Sequence, residues 1–271
     1  GSAATRRSKP GSIDRRVAAD PEGTVAIANV AGSVRIEAWE RPEVHVGGTI
    51  GAGVERVDVL RDGARVVVKV VMPRGGSYSR GGTELQVKVP AASKLEVSSV
   101  SADVESRGVR GALRVNSVSG NVTLDFDAAP LEVKTVSGDV NLRGTGRAAT
   151  SRVTTVSGDL RVERGAGSLE ATTVSGDLAL ALEGLRSLRL RTTSGDVALR
   201  GAPERGASLE AESVSGDVGM TLRAAAGIEL EAESFSGDIG TCFGARGTRS
   251  GMGPGSSLRS FLASSRSSAL G

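Results

Sequence analysis

Apolar and polar residues alternate with a period of two along most of the chain between residues 22 and 241. In the segment LEVKTVSGDVNL, Leu131 and Val133 precede a Ser-Gly-Asp triplet, and Val140 and Leu142 follow it. A period of two is typical of β-strands with one buried face, whereas an amphipathic helix has a period near 3.6. The segment therefore predicts two short strands that meet at a polar corner.

The same phrase recurs eight times between residues 95 and 241. Its copies are LEVSSVSADVES from Leu95, LRVNSVSGNVTL from Leu113, LEVKTVSGDVNL from Leu131, SRVTTVSGDLRV from Ser151, LEATTVSGDLAL from Leu169, LRLRTTSGDVAL from Leu188, LEAESVSGDVGM from Leu209 and LEAESFSGDIGT from Leu230. The acidic or amide position recurs every 18 to 21 residues. A repeat of this length, made of two strands and a corner, is typical of one layer of a β-solenoid.

The composition agrees with a core of stacked aliphatic layers. The 271 residues include 38 glycines but only one Trp, one Tyr and four Phe, although aromatic side chains supply the largest single burials in most cores. Parallel layers about 4.8 Å apart would fill the interior with ladders of small aliphatic side chains instead. We therefore expect an all-β fold, a single parallel β-helix or β-solenoid, with a right-handed coil preferred by analogy with parallel crossovers.

A glycine column and two polar columns define the predicted corner. Glycine supplies a positive φ or a close backbone approach, and Ala102 in the first copy indicates that a methyl group is nearly tolerated there. The Asp or Asn that follows is expected to bond to local amides as an Asx turn, and each member of the Ser/Thr column to bond to the equivalent residue one layer away. The predicted turn ladder consists of Gly120 and Asn121, Gly138 and Asp139, Gly158 and Asp159, Gly176 and Asp177, Gly195 and Asp196, Gly216 and Asp217, and Gly237 and Asp238.

Changes in composition divide the chain into four predicted segments. They are a disordered basic arm at 1–21, an N-terminal β cap or irregular early layers at 22–94, eight regular layers at 95–243, and a Gly/Ser-rich tail at 244–271. Within the cap we expect a hairpin with Asp62-Gly63 in its turn. Trp39 is expected to close the end of the aliphatic core.

Charge and residue counts exclude several kinds of site. Lys and Arg number 34 against 31 Asp and Glu, an excess too small to imply a nucleic-acid partner. One histidine, His45, and one cysteine, Cys242, exclude a His/Cys zinc site and an intramolecular disulfide. The sequence contains no apolar run of about 18 residues, so no membrane-spanning segment is predicted. Because the chain begins at Gly1 without Met, we expect that any signal peptide was removed upstream.

The aligned Asp column has a competing interpretation as a calcium site. Stacked carboxylates about 4.8 Å apart repel one another, and Ca²⁺ would relieve that repulsion with oxygen ligands. However, only one corner of each layer has this sequence, and backbone amides offer a less costly partner. The structural interpretation is preferred, and no metal site is predicted.

Catalysis is a further alternative, because parallel β-helices include enzymes that act on polysaccharides. Such sites use paired carboxylates, usually with aromatic platforms for sugar rings. Here the carboxylates recur identically in every copy, and aromatic residues are almost absent from the repeat. His45, in the strand-like segment EVHV, is interpreted as a surface or cap residue. We predict no catalytic residue and no cofactor.

The combined motifs resemble the bacterial "putative adhesin" β-solenoid family, a domain of unknown function in secreted or membrane-tethered envelope proteins. The resemblance covers about residues 24–258 and rests on NVAGSVRIEAWERPEVHV, on KVPAASKLEVSSVSADV and on the serial VSGDV phrase. It implies an exported parallel β-helix without an established catalytic activity. In that family a further layer normally follows the segment CFGARGTRSGMGPGSSLR, whereas this chain continues with RSFLASSRSSALG.

The expected function is a non-catalytic β-solenoid of the bacterial envelope, in the periplasm or at the cell surface. It would act as an adhesin-like binding surface or rigid scaffold for an unknown envelope or surface ligand. The main alternative is a self-assembling structural protein, because the tail is expected to leave the last layer open. With the other end closed, this predicts a weak homodimer through the C-terminal end, for which Cys242 is a candidate intermolecular disulfide.

Overall fold

The computed structural model describes residues 11–73, 82–223, 227–242, 248–250 and 256–261, and these residues form strands and connecting turns without a helix. The strands are β1 (Ser12–Ala18), β2 (Thr24–Trp39), β3 (Glu43–Thr49), β4 (Arg56–Asp62), β5 (Arg65–Val71), β6 (Thr83–Pro90), β7 (Lys94–Arg107), β8 (Leu113–Ser117), β9 (Val122–Phe126), β10 (Leu131–Ser137), β11 (Val140–Gly144), β12 (Ala149–Ser157), β13 (Leu160–Ser175), β14 (Leu178–Ser194), β15 (Val197–Ser215), β16 (Val218–Leu222), β17 (Glu229–Ser236), β18 (Ile239–Cys242), β19 (Thr248–Ser250) and β20 (Ser256–Phe261). The chain divides into two compact units, Gly1–Ala129 and Pro130–Gly271. The division falls inside the segment predicted as one run of regular layers.

The N-terminal unit is built on β2, which serves as an additional copy of the repeat. Strand β2 pairs in parallel with β7 through the whole phrase, and Gly32 is in register with Ala102 in the corner. The segment NVAGSVRIEA therefore corresponds to SVSADVESRG, with Asn29 in the Ser/Thr column. The eight-copy count missed this layer because VAGSV lacks the acidic residue of VSGDV.

Antiparallel strands complete this unit beside β2. Strands β4 and β5 form the predicted hairpin, in which Asp62 pairs with Arg65 and Gly63 lies in the turn with a φ of +58°. Strand β6 pairs in parallel with β2, and β3 pairs antiparallel with β6. This arrangement confirms the hairpin and shows that the predicted cap is continuous with the repeat through β2.

The predicted disordered arm is wrong for residues 12–18. They form β1, which pairs antiparallel with β3 from Ser12 opposite Thr49 to Ala18 opposite Glu43. Ile13 is buried, so one apolar side chain and a full set of backbone hydrogen bonds outweigh the basic composition. Residues 1–10 of the predicted arm lie outside the described part of the chain.

The C-terminal unit stacks six copies of the phrase in parallel with equivalent residues in register. At one position the paired residues are, in order, Leu131, Ser151, Leu169, Leu188, Leu209 and Leu230. Long strands such as β14 contain the second half of one copy and the first half of the next. The predicted β-solenoid with one copy in each layer is confirmed, and its right-handed coil stays a prediction.

Small aliphatic ladders fill the interior, as the composition predicts. In the C-terminal unit the inward positions include Leu142, Leu160, Leu178 and Leu199, each almost fully buried. Burying one such side chain contributes about 1.5–3 kcal/mol, less than the entropy cost of ordering the residues of a whole layer. A layer therefore depends on its neighbours for stability.

The last layer is partly covered, contrary to the expectation of an open edge. Strand β20 pairs antiparallel with β17, from Ser256 opposite Ser234 to Phe261 opposite Glu229, and β19 pairs with β20. The predicted tail thus supplies two strands, because the backbone groups of β17 need partners even where the tail has few apolar residues. The other parts of the tail lie outside the described residues.

Five corners of the C-terminal unit require glycine because adjacent layers approach closely there. A Cβ atom on Gly195 would lie 2.2 Å from the carbonyl oxygen of Gly176, and the φ of Gly195 is +136°. The equivalent Cβ contacts at Gly158, Gly176, Gly216 and Gly237 would measure 2.2–2.4 Å. Ala102 is a poor guide to these corners, since β7 passes its own corner as an unbroken strand.

We predict that Gly195→Ala destabilises the protein by about 1–3 kcal/mol, because the methyl group forces apart two backbones and occupies a strained φ. Gly219→Ala is the matched control, since its Cβ would lie 3.7 Å from the nearest atom, the carbonyl oxygen of Val197. Denaturant unfolding of both variants measures the difference. Equal stability of the two variants would contradict the close-approach account.

Candidate functional site

The carboxylate column of the C-terminal unit bonds between layers, which corrects the predicted Asx turns. The amide N–H of Asp177 donates to Oδ1 of Asp159 at 2.9 Å, and that of Asp196 donates to Oδ1 of Asp177 at 2.9 Å. The same bond recurs at Asp159, Asp217 and Asp238, at 2.8–3.1 Å. Each aspartate therefore joins its own layer to the next, through a partner 18 to 21 residues away.

Backbone bonds run through the same corners. The amide of Gly195 donates to the carbonyl of Ser215 at 3.1 Å, and the amide of Val197 donates to the carbonyl of Asp217 at 2.8 Å. The parallel ladder thus continues around the corner. Glycine permits the close approach of the two backbones. The aspartate carboxylate accepts the hydrogen bond of the next aspartate's backbone N–H, which the bend turns away from the backbone ladder.

The buried Ser/Thr column makes local bonds at two corners of the N-terminal unit, where interlayer bonds were expected. Ser99 Oγ donates to the carbonyl of Ala102 at 2.7 Å and accepts from its amide at 2.9 Å, and Ser117 bonds to Gly120 in the same way. In the C-terminal unit Ser234 Oγ donates to the carbonyl of Gly216 in the adjacent layer at 3.2 Å, and not to the equivalent residue as expected. The other column hydroxyls of this unit are buried and have no hydrogen-bond partner in the described structure; they belong to Thr135, Thr155, Thr173, Thr192 and Ser213.

A column of exposed apolar side chains lies immediately before the Ser-Gly-Asp corner. In the C-terminal unit it consists of Val136, Val156, Val174, Val214 and Phe235, which are 45–63% exposed, with Thr193 in the remaining copy. We call this column the apolar ladder. Val100 and Val118 occupy the same position in the N-terminal unit and are also exposed.

Sequence reasoning missed the apolar ladder although the alternation contains it. Leu131, Val133 and Thr135 point inward, so Val136 must point outward. The prediction of the corner uses only the Ser, Gly and Asp residues of the phrase, and it treats the valine before them as an ordinary core residue. Repeated exposure of a large apolar side chain at one position is unusual for a protein surface and often marks an interaction site.

Serine and aspartate columns run beside the apolar ladder. In each layer of the C-terminal unit the residue after the ladder position is an exposed serine, and the aspartate two residues later is also exposed. All three columns share the layer spacing of about 4.8 Å. The corner thus presents a strip with one apolar edge and one acidic edge.

Ion pairs between adjacent layers cover the outward face of the strands that precede the corner. Arg189 Nε donates to Oε2 of Glu210 at 2.9 Å, and Arg191 Nε donates to Oε2 of Glu212 at 3.0 Å. The hydrogen bond from Arg189 lowers the pKa of Glu210, and the same bond raises the pKa of Arg189. Because these groups are exposed, each pair adds little stability, and the face is largely charge-balanced.

Trp39 lies on an outward surface of the N-terminal unit, so the prediction that it closes the core is wrong. Its ring stacks on His45 with centroids 6.2 Å apart, and its Nε1 donates to the carbonyl of Glu43 at 2.8 Å. Arg41 sits over the indole, 5.2 Å from the ring centroid. His45 Nε2 lies 2.8 Å from Oδ1 of the exposed Asp14.

Within the described ranges, no group of three or more His, Cys, Asp or Glu side chains is placed to hold a metal ion. No helix in that part of the chain is long and apolar enough to cross a membrane. Cys242 ends β18, where its backbone is in register with Thr221, and the intermolecular disulfide stays a prediction.

Comparison with known proteins identifies a family model and several similar folds. The model described as Toastrack DUF4097 matches residues 24–226. A crystal structure of a "putative adhesin" from Bacteroides fragilis is 11% identical, with 85% of this chain and 97% of that chain covered and a TM-score of 0.43. A "putative lipid binding protein" from Parabacteroides distasonis is 15% identical, with 85% and 94% covered and a TM-score of 0.49.

A third crystal structure, of a "putative cell adhesion protein" from Clostridium sporogenes, is 8% identical to this chain. It covers 67% of this chain and all of its own length, with a TM-score of 0.41. The search of curated proteins found no match.

We predict that Asp177→Ala destabilises the protein by about 0.5–1 kcal/mol, because the amide of Asp196 loses its carboxylate acceptor at an exposed site. Asp177→Asn should change stability by less than about half of this, since an amide oxygen can accept the same bond. Asn121 occupies the column naturally. Thermal unfolding of both variants measures the difference.

The same experiment separates the structural role from calcium binding. Millimolar Ca²⁺ should leave the Tm of the wild type unchanged, because a ligand that does not bind the folded state cannot stabilise it. A rise of several degrees that disappears in Asp177→Asn would instead support a cation site.

Proposed function

We propose that this chain, which belongs to the Toastrack DUF4097 family, is a non-catalytic β-solenoid of the bacterial envelope that presents a repeating surface to a ligand. Toastrack DUF4097 is a domain of unknown function. The proposal therefore rests on the surface of this chain and on the resemblance that its motifs carry. That resemblance implies export, so we place the protein in the periplasm or at the cell surface.

The apolar ladder is the observation that carries the proposal. Large apolar residues of the repeat are otherwise buried, yet five of six layers in the C-terminal unit expose a large apolar side chain at one position. The exposure costs solvation free energy in every one of those layers. A contact surface along the corner accounts for a feature that stacking of the layers does not require.

The rigidity of the corners supports a role as scaffold and binding surface. Side-chain and backbone bonds join each corner of the C-terminal unit to the adjacent layer, so the ladder is held at fixed spacing. A surface that is already ordered loses less conformational entropy when it binds. The layers need no rearrangement to present five apolar groups over six layers.

The chemistry of the corner supports a non-catalytic role. Aspartates of the column accept amide hydrogen bonds in the same way from layer to layer, so no corner carboxylate is distinguished from the others. Enzyme sites instead combine groups in different environments with different pKa values. The column is better suited to holding layers together than to proton transfer.

The proposed homodimer through the C-terminal end is the weaker assembly model. Strand β20 occupies the edge of β17 between Glu229 and Ser234, where an open edge was expected. That pairing removes the backbone edge of β17 from the surface on which the dimer depends.

The binding role is tested with fluorescently labelled protein and isolated bacterial envelopes. We expect envelopes to retain the wild type and to retain the triple variant Val156→Thr/Val174→Thr/Val214→Thr at least about tenfold less, because the variant removes apolar contact area. Thr193 occupies the ladder position in one natural copy, so threonine is compatible with the fold. Sedimentation of the labelled protein with envelopes provides the measurement.

The matched control is Leu60→Thr, because Leu60 is 62% exposed and lies on β4 of the N-terminal unit, outside the repeat phrase. It should be retained as well as the wild type. Equal retention of the ladder variant and the wild type, at equal thermal stability, would contradict the binding role. Turnover of a polysaccharide by the purified protein would contradict the non-catalytic role.

A further inference from the structure

The strip at the corner of the C-terminal unit is narrow and regular. Its apolar edge is one side chain wide and spans six layers, one of which carries Thr193, and its acidic edge is the column of aspartates from Asp139 to Asp238. A strip of this shape suits an elongated partner that lies along the stacking direction. A broad globular partner would leave most of its own contact surface unpaired.

The spacing of the layers favours a helix over an extended strand in that orientation. Layers repeat about every 4.8 Å, and a helix presents a side chain on one face about every 5.4 Å turn. An extended strand presents one every 6.6–6.8 Å or so. Over the four steps from Val136 to Val214 the helix drifts by about 2 Å, whereas the strand drifts by about 8 Å.

The acidic edge determines the charge of that helix. Five exposed carboxylates and one more in the last copy follow the ladder on the same side, and their fields add along the strip. A helix whose apolar stripe rests on the ladder would place its flanking side chains over this column. Such flanking side chains must both cover apolar surface and pair with carboxylates. Lys and Arg do both, because their alkyl stems cover apolar surface while their cations reach the carboxylates.

A second copy of the chain matches the spacing but not the charge. An antiparallel two-fold pairing of the ladders would set one aspartate column against the other. A parallel pairing would set the aspartate column of one copy against a different column of the other copy. That column lies two residues before the ladder in each layer, begins at Lys134 and ends with Glu212 and Glu233. The cations in that column already pair within their own face, Lys134 with Glu132 at 2.7 Å and Arg191 with Glu212 at 3.0 Å.

We propose that the apolar ladder and the adjoining aspartate column of the C-terminal unit dock a basic amphipathic helix of a partner protein. The inference rests on the proposed binding function and names the class of ligand for the same surface. Valine side chains contact the apolar stripe of the helix, and the carboxylates pair with its Lys or Arg side chains. The interaction is salt-dependent because its charge pairs are exposed to solvent.

The test uses the whole protein and a synthetic 18-residue peptide with leucine along one helical face and lysine on both flanks. We expect binding in the micromolar range by fluorescence anisotropy and a gain of helical signal by circular dichroism. Val156→Thr/Val174→Thr should weaken binding about tenfold through lost apolar area. Thr193 again shows that the substitution suits the repeat.

A second variant separates charge from apolar contact. Asp159→Asn/Asp177→Asn keeps the oxygens that accept the interlayer amide bonds and removes two charges, and Asn121 is the natural precedent. It should weaken binding several-fold at low salt and make the affinity less dependent on salt. An Asp20→Asn variant, in a turn of the N-terminal unit, should bind as the wild type does.

Four outcomes overturn the inference. A scrambled peptide of the same composition could bind equally well, or both ladder and carboxylate variants could bind with wild-type affinity. Anionic vesicles without peptide could bind with the same sensitivity to the valine variant, which would assign the strip to a membrane surface. If the peptide does not bind while envelope retention still depends on the ladder, this inference fails and the proposed binding function stands.

Discussion

The close approach of adjacent layers at the glycine corner is the constraint on which the structure of the C-terminal unit depends. The carbonyl oxygen of one corner glycine occupies the space needed by a Cβ atom on the corner glycine of the next layer. At Gly195 the two positions would be 2.2 Å apart. This approach keeps the parallel hydrogen bonds continuous through the bend. The aspartate carboxylate accepts a hydrogen bond from the backbone N–H of the aspartate in the next layer. One geometric requirement thus explains both the glycine and the aspartate columns.

The same constraint fixes the exposed surface. Because the serine, glycine and aspartate positions are committed to the bend, the residue before them must point outward when Thr135 and its equivalents point inward. Stacking requires no particular side chain there, as Thr193 demonstrates. The valines and Phe235 are therefore the part of the repeat that is free to serve recognition, and the rigid corner sets their spacing.

The period-two alternation and the recurrent phrase were sufficient to predict the solenoid, the hairpin at Gly63 and the aliphatic core. Composition gave a wrong prediction at the two ends of the chain, where a basic segment and a Ser-rich segment form strands β1 and β20. Both strands are held by backbone pairing, which composition does not indicate. The bonding of the aspartate column could not be deduced locally, because each partner lies 18 to 21 residues away. The exposed ladder, in contrast, was available from the alternation and was missed because valine is usually a core residue.

Residue-resolved amide hydrogen exchange of the wild type tests the corner constraint most directly. The amides of Gly176, Gly195 and Gly216 each donate to a serine carbonyl in the next layer at 3.0–3.2 Å, although they lie in a bend next to exposed residues. The account predicts that these three amides exchange as slowly as amides inside the flanking strands, since both open only when layers separate. Exchange of the glycine amides at the rate of an unstructured peptide, while the strand amides remain protected, would contradict it.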